Sequence, residues 1–73
     1  MKYTIYGKPN CPQCEKAKAL LSGKQLETDY QDVTKNPELR EMLLNLGARS
    51  VPQIFLNEKH LGGYEELLVH LQD

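Results

Sequence analysis

Polar and apolar residues alternate through Lys2-Tyr3-Thr4-Ile5-Tyr6 and stop at Gly7. A period of two predicts a half-buried strand over residues 2–7, followed by a turn at Lys8-Pro9-Asn10. From Pro12 the period changes. Cys14, Ala17 and Leu21 recur at helical spacing, and Pro12 suits a first helical position because its missing N–H is not needed there. A helix over Pro12 to Ser22 is expected, with Gly23 as its stop. Glu27 to Val33 reads as a second, more polar strand. Asn36-Pro37-Glu38 combines a cap, a first-turn proline and an acid near the positive helix end. Leu39, Met42, Leu43 and Leu46 then fall at i, i+3, i+4 and i+7, an amphipathic helix ended by Gly47. Gln53-Ile54-Phe55-Leu56 predicts a third strand. Asn57-Glu58 makes a tight turn into a short fourth strand, Lys59-His60-Leu61, broken by Gly62-Gly63. A last helix runs from Tyr64 to Gln72 with Leu67, Leu68 and Leu71 inward.

The order is therefore βαβαββα, an α/β class. The first βαβ unit implies a parallel crossover, and the closely joined last strands imply an antiparallel hairpin. A small mixed sheet with helices on its faces follows. The 73 residues are expected to form one domain, residues 1–73. The formal net charge of −1 argues against nucleic-acid or anionic-membrane binding. No apolar run reaches membrane-spanning length. Nothing resembles a secretion signal, so a cytoplasmic location is expected, where thiols stay reduced.

Chemistry concentrates in Cys11-Pro12-Gln13-Cys14, which contains both cysteines of the chain. Two thiols three positions apart at a helix start can close a small ring and reopen it. The helix N-terminus offers unpaired N–H groups and partial positive charge, both of which favour thiolate over thiol. A thiolate attacks disulfides, and a neighbouring thiol resolves the mixed disulfide. Reversible dithiol–disulfide exchange is the leading reading. Cys11 at the helix mouth suits the attacking role. Cys14, on the face shared with Ala17 and Leu21, should be less exposed. Other readings are a structural disulfide, two inert buried cysteines, or a zinc site completed by His60 and His70. The histidines are ten positions apart, unlike the usual Cys₂His₂ spacing, and no metal site is expected.

Three motifs, in order, give the chain a family resemblance over essentially its full length: Lys8-Pro9-Asn10-Cys11-Pro12-Gln13-Cys14, Ser50-Val51-Pro52-Gln53-Ile54-Phe55, and Gly62-Gly63-Tyr64-Glu65-Glu66. The chain resembles the glutaredoxins, within the thioredoxin-like fold. The resemblance implies a four-stranded mixed sheet flanked by three helices, in agreement with the order derived above.

Carried over residue by residue, the resemblance makes Cys11 the nucleophile and Cys14 the resolving thiol. Lys8 matches a lysine that attracts thiolate and substrate carboxylate; alone, it is equally an ordinary loop lysine. Pro52 matches a cis-proline that turns the Val51 backbone toward Cys11, so that an extended ligand can pair with it as an added strand. Gly63 allows close backbone approach at a helix start, where the γ-glutamyl end of glutathione is held. Glu65 and Glu66 stand where the family more often has Ser, Thr or Asp followed by Asp. They would meet the ligand's ammonium group, or simply favour the helix dipole. Gln13 replaces the usual aromatic between the cysteines and lines the substrate site. Arg49 can reach the glycine carboxylate of glutathione, or be a solvated loop charge. Tyr6 either flanks the site or packs on the sheet. His60 and His70 read as a surface strand residue and a helix-end cation.

The resemblance implies a monomeric dithiol glutaredoxin with no tightly bound cofactor and glutathione as reductant. Its partners would be disulfide-containing proteins, ribonucleotide reductase among them, and glutathione mixed disulfides. Two alternatives remain open. One is a glutaredoxin-like carrier recycled by thioredoxin reductase; such carriers typically have a Trp-Ser-Gly-Phe type ending where this chain has Leu61-Gly62-Gly63-Tyr64. The other is a binding module, an iron–sulfur dimer ligated by glutathione, against which Pro12 beside Cys11 argues.

Overall fold

The structure, a computed structural model, describes residues 1–72. Its elements run β1 (Tyr3–Gly7), α1 (Pro12–Gly23), β2 (Thr28–Asp32), α2 (Pro37–Asn45), β3 (Gln53–Leu56), β4 (Lys59–Gly62) and α3 (Tyr64–Leu71). The four strands form one mixed sheet in the order β2-β1-β3-β4. β1 pairs with β2 in parallel; β1–β3 and β3–β4 are antiparallel. This is the thioredoxin-like arrangement of four strands and three helices expected from the sequence.

Each face of the sheet carries its own core. Tyr3 and Ile5 point to one side, where they meet Ala17 and Leu21 of α1, Ile54 of β3 and Leu67 of α3. Tyr6 and Phe55 point to the other, where Leu39, Met42 and Leu43 of α2 close over Val33 and Ala48. Ile5, Leu21, Ile54 and Leu67 are fully buried, each contributing about 1.5–3 kcal/mol relative to exposure. Tyr6 therefore packs on the sheet, edge-on to Phe55 at 5.4 Å between ring centroids.

One helix end differs from the sequence reading, and the other closes on the glycine expected. Gly23 lies within α1, and the left-handed position after the cap is Gln25 (φ 58°). The N–H of Leu26 donates to the Leu21 carbonyl and that of Gln25 to Ser22, so the turn closes on a non-glycine residue. α2 ends at Asn45, with Gly47 in the left-handed position (φ 85°). Leu46 becomes the cap and turns out of the apolar stripe, half-exposed. Leu67 is buried as expected, while Leu68 is half-buried.

The antiparallel pairings decide where function gathers. β3 opposes both β1 and β4, so the end of β1, the start of β3 and the end of β4 share one end of the sheet. Tyr6 is opposite Gln53, and Ile54 is opposite Gly62. The three motifs, widely separated in sequence, meet there.

Candidate active site

The first turn of α1 builds the centre. Asn10 takes the left-handed conformation (φ 57°), which its short polar side chain tolerates, and swings the chain from β1 into the helix. Cys11 is the N-cap residue in extended conformation, and Pro12 occupies the first helical position. The Cys14 backbone N–H donates to Cys11 Sγ across 3.2 Å. Sulfur thus takes the place that a cap oxygen usually fills. Cys11 and Cys14 form a disulfide with Cα atoms 5.2 Å apart, within the normal range. Cys11 keeps 7% of its surface exposed and Cys14 none, so an incoming group can reach only Cys11. A sulfur anion at Cys11 would receive the Cys14 N–H and lie at the positive end of α1.

Beneath the helix mouth, Gly7 ends β1 without a side chain because its neighbours leave no room. A Cβ there would lie 2.9 Å from Cys14 Sγ and 2.9 Å from Tyr30 Cζ. The Tyr30 hydroxyl donates to the Lys8 carbonyl at 3.3 Å. Burial pushes the Tyr30 phenol pKa up; Lys18, whose Nζ lies 4.4 Å from the ring centroid, opposes that shift.

The second wall is the loop before β3. The Val51–Pro52 bond is cis, as the resemblance implies. The Val51 carbonyl oxygen lies 3.9 Å from Cys11 Sγ. Gln53, a buried polar residue, anchors this loop: its Nε2 donates to the Ser50 carbonyl at 2.9 Å. Its Oε1 is 2.7 Å from His60 Nε2, and His60 stacks on Phe55 at 4.8 Å. His60 is a surface strand residue, as expected, yet it braces the loop through Gln53.

The third wall is the β4–α3 junction. Gly62 is left-handed (φ 123°), a conformation that favours glycine. Gly63 caps α3, and its N–H donates to Glu66 Oε1 at 2.6 Å, the acidic half of a capping box. The next N–H groups, of Tyr64, Glu65 and Glu66, have no acceptor within the helix. Glu66 is therefore engaged through one oxygen, and Glu65 is exposed.

Two hollows meet at Ser50 and Val51. The smaller, about 170 Å³, is lined by Gln13, Pro52, Gly63, Tyr64, Glu65 and Glu66. The larger, about 470 Å³, holds Lys8 and Arg49. All eight predicted binding residues thus line one trough beside Cys11. Arg40, Pro37 and Leu44 also line the larger hollow. The sequence reading missed these three, although their i, i+3, i+7 spacing puts them on one helix side next to the apolar stripe. His70 is not part of this trough: its Nε2 lies 3.2 Å from the Tyr3 hydroxyl. Among the described residues no group of three or more His, Cys, Asp or Glu side chains could hold a metal ion.

A buried sulfur and an accessible one 3.2 Å from a backbone donor, joined in a disulfide beside a trough, can together perform thiol–disulfide exchange. Comparison with known proteins agrees. The glutaredoxin family model matches residues 3–61. The chain is 42% identical to Glutaredoxin 3 of Escherichia coli over 64 residues, 86% of this chain and 77% of that one. It is 44% identical to a glutaredoxin of Neisseria meningitidis over 66 residues, 88% and 78% of the two chains. The solution structure of a glutaredoxin from Brucella melitensis superposes with a TM-score of 0.82 at 40% identity, covering 99% of this chain and 79% of that one. The chain belongs to the glutaredoxin family and is a thiol–disulfide oxidoreductase.

Proposed function

We propose that this protein is a cytoplasmic dithiol glutaredoxin that reduces protein disulfides and glutathione mixed disulfides and is recycled by glutathione. The observation that carries the reading is the trough. At one end it has cations, Lys8 and Arg49. In the middle is the Val51 backbone beside Cys11. At the other end are the open N–H groups and acids of the α3 start. Glutathione has a carboxylate at each end and one ammonium, and that order of groups is complementary to it. A carrier that takes electrons from thioredoxin reductase does not need such a set.

The proposed cycle uses only these groups. Cys11 thiolate attacks a substrate sulfur; a Cys11–substrate disulfide forms and the other substrate sulfur leaves as thiolate. Cys14 thiolate then attacks Cys11 Sγ and displaces the reduced product, leaving the Cys11–Cys14 disulfide. One glutathione thiolate opens that disulfide at Cys11. A second removes the first, giving oxidised glutathione and the dithiol protein. Ribonucleotide reductase is one protein acceptor proposed for this cycle.

The test couples turnover to NADPH consumption in two reconstituted systems, glutathione with glutathione reductase, or thioredoxin reductase alone. Turnover with the first and little with the second is expected. Efficient turnover with thioredoxin reductase and none with glutathione would overturn the proposal in favour of the carrier reading.

A further inference from the structure

The larger hollow extends past the two cations assigned to glutathione. Its floor is apolar, with Val33, Leu43 and Ala48 at its base. Arg40 lies on its rim together with Leu44, which is 55% exposed although it is a large apolar side chain. The lining thus carries three cations, Lys8, Arg40 and Arg49, and no acidic side chain among the described residues. None of the three forms an ion pair among the described residues. This concentration of positive charge is local, because the whole chain carries a formal net charge of −1.

We propose that the α2 side of this hollow is a docking site for the polypeptide of a disulfide-bearing substrate, selecting segments with acidic and apolar side chains beside the reacting cysteine. This rests on the reading of Cys11 as the attacking thiol. An extended segment bonded to Cys11 meets the Val51 backbone, and its flank then enters the hollow. Carboxylates there are matched by Arg40, and apolar side chains cover Leu44 and the Val33–Leu43–Ala48 floor. Glutathione, a tripeptide, ends at Lys8 and Arg49 and leaves the Arg40–Leu44 side empty. Arg40 and Leu44 thus discriminate among protein substrates and do not take part in the chemistry. In the reaction, Cys11 thiolate breaks the substrate disulfide and forms the Cys11–peptide bond. Cys14 thiolate then closes the Cys11–Cys14 disulfide, and the peptide leaves as a dithiol after taking up protons.

The test uses pre-reduced protein in single turnover, so it does not depend on how the protein is recycled. Two synthetic peptides, each closed by one internal disulfide, differ only in their cysteine flanks, Leu-Asp-Glu in one and Leu-Asn-Gln in the other. The parent protein should reduce the acidic peptide several-fold faster at low salt, with the advantage shrinking at high ionic strength. Arg40→Glu should abolish that advantage, a loss of up to about fivefold in kcat/KM, of the size expected for an exposed charge. Leu44→Ser should slow both peptides alike. Turnover of the glutathione–cysteine mixed disulfide should fall by less than that of the acidic peptide in Arg40→Glu, and by less than that of either peptide in Leu44→Ser. An equal rate for the two peptides in the parent, or an acidic preference that survives Arg40→Glu, would overturn the proposal. Failure of glutathione to recycle the protein would instead overturn the glutathione reading and leave this measurement intact.

Discussion

Replacing Gly7 by alanine places a methyl group between the end of β1 and the first turn of α1. The new Cβ would lie 2.9 Å from both Cys14 Sγ and Tyr30 Cζ, and closer still to the Tyr30 hydroxyl. Comfortable non-bonded separations are about 3.5–4.0 Å, so the overlap is roughly 0.6 Å or more on two sides. Neither neighbour yields freely. Cys14 is fully buried in the helix and bonded to Cys11. The Tyr30 ring is held by Lys18 on its face and by its hydroxyl bond to the Lys8 carbonyl. Overpacking of this kind costs about 1–3 kcal/mol. In a domain of this size that lowers the melting temperature by about 5–20 °C.

Thermal unfolding of Gly7→Ala, Tyr30→Phe and the double variant measures the clash directly. Tyr30→Phe alone loses the hydrogen bond and should cost about 0.5–1.5 kcal/mol. In the Gly7→Ala background it removes the most crowded atom and should be neutral or stabilising. The coupling should thus amount to about 1 kcal/mol or more. A displaced Cys14 also slows ring closure, so protein-disulfide reduction should fall more than the alkylation rate of Cys11. Gly7→Ala within 0.5 kcal/mol of the parent, with effects additive to Tyr30→Phe, would refute the reasoning.

Further consequences follow from the same geometry. Cys11→Ser should abolish activity on every disulfide, whereas Cys14→Ser should lose protein-disulfide reduction yet retain removal of glutathione from mixed disulfides; equal inactivity of both variants in a deglutathionylation assay would contradict the assigned roles. Glu66→Gln keeps an acceptor for the Gly63 N–H but not its charge, and Glu66→Ala removes both, so stability by urea titration should fall in that order, with a loss of about 1 kcal/mol for alanine. The Asp32 carboxyl is held below the usual range, first by the Thr34 hydroxyl at 2.6 Å and then by the Thr34 N–H at 2.8 Å. A lowered folded-state pKa means that this contribution to stability is present above the unfolded carboxylate pKa and is lost as pH falls through the folded value. Thr34→Val should move the Asp32 pKa, read by carboxyl NMR, part of the way back up; an unmoved titration counts against the Thr34 assignment.

Periodicity made the elements legible, since each face of the sheet is paired with helices of matching apolar pattern. Cys14, Ala17 and Leu21 follow one helix stripe and are all fully buried. The end of α1 was less legible than that of α2, where the expected Gly47 takes the left-handed position, because closing hydrogen bonds as well as residue type decide such a cap. Gln25 took that position two residues after a glycine that could have supplied it. Motifs located the trough because the catalytic and ligand-facing positions carry unusual residues: paired cysteines, a proline before a strand and consecutive glycines. Arg40 and Leu44 carry no such signature, and their placement follows only from how α2 docks. Gln53 and His60 were hidden for a related reason. The link between them crosses the β3–β4 pairing, whose register shifts between Ile54 and Phe55.

That register shift has a functional reading within the fold itself. Side-chain direction alternates along a strand, so an irregularity changes which residues share a face. Here Phe55 is opposite His60 while Ile54 is opposite Gly62. The extra residue on β4 is Leu61, which packs toward the α1–α3 core while His60 stacks on Phe55 across the sheet. The same strand end can therefore pack a leucine against the core, bring an imidazole within 2.7 Å of Gln53 Oε1, and deliver Gly62 and Gly63 to the trough. Gln53 sits where β3 begins, its amide joining that imidazole to the Ser50 carbonyl. The Val51 backbone beside Cys11 and the helix start at Gly63 are thus fixed relative to each other through one strand pairing and one buried amide. In this reading, the spacing between the two ends of the ligand trough is set by the sheet and does not depend on loop flexibility.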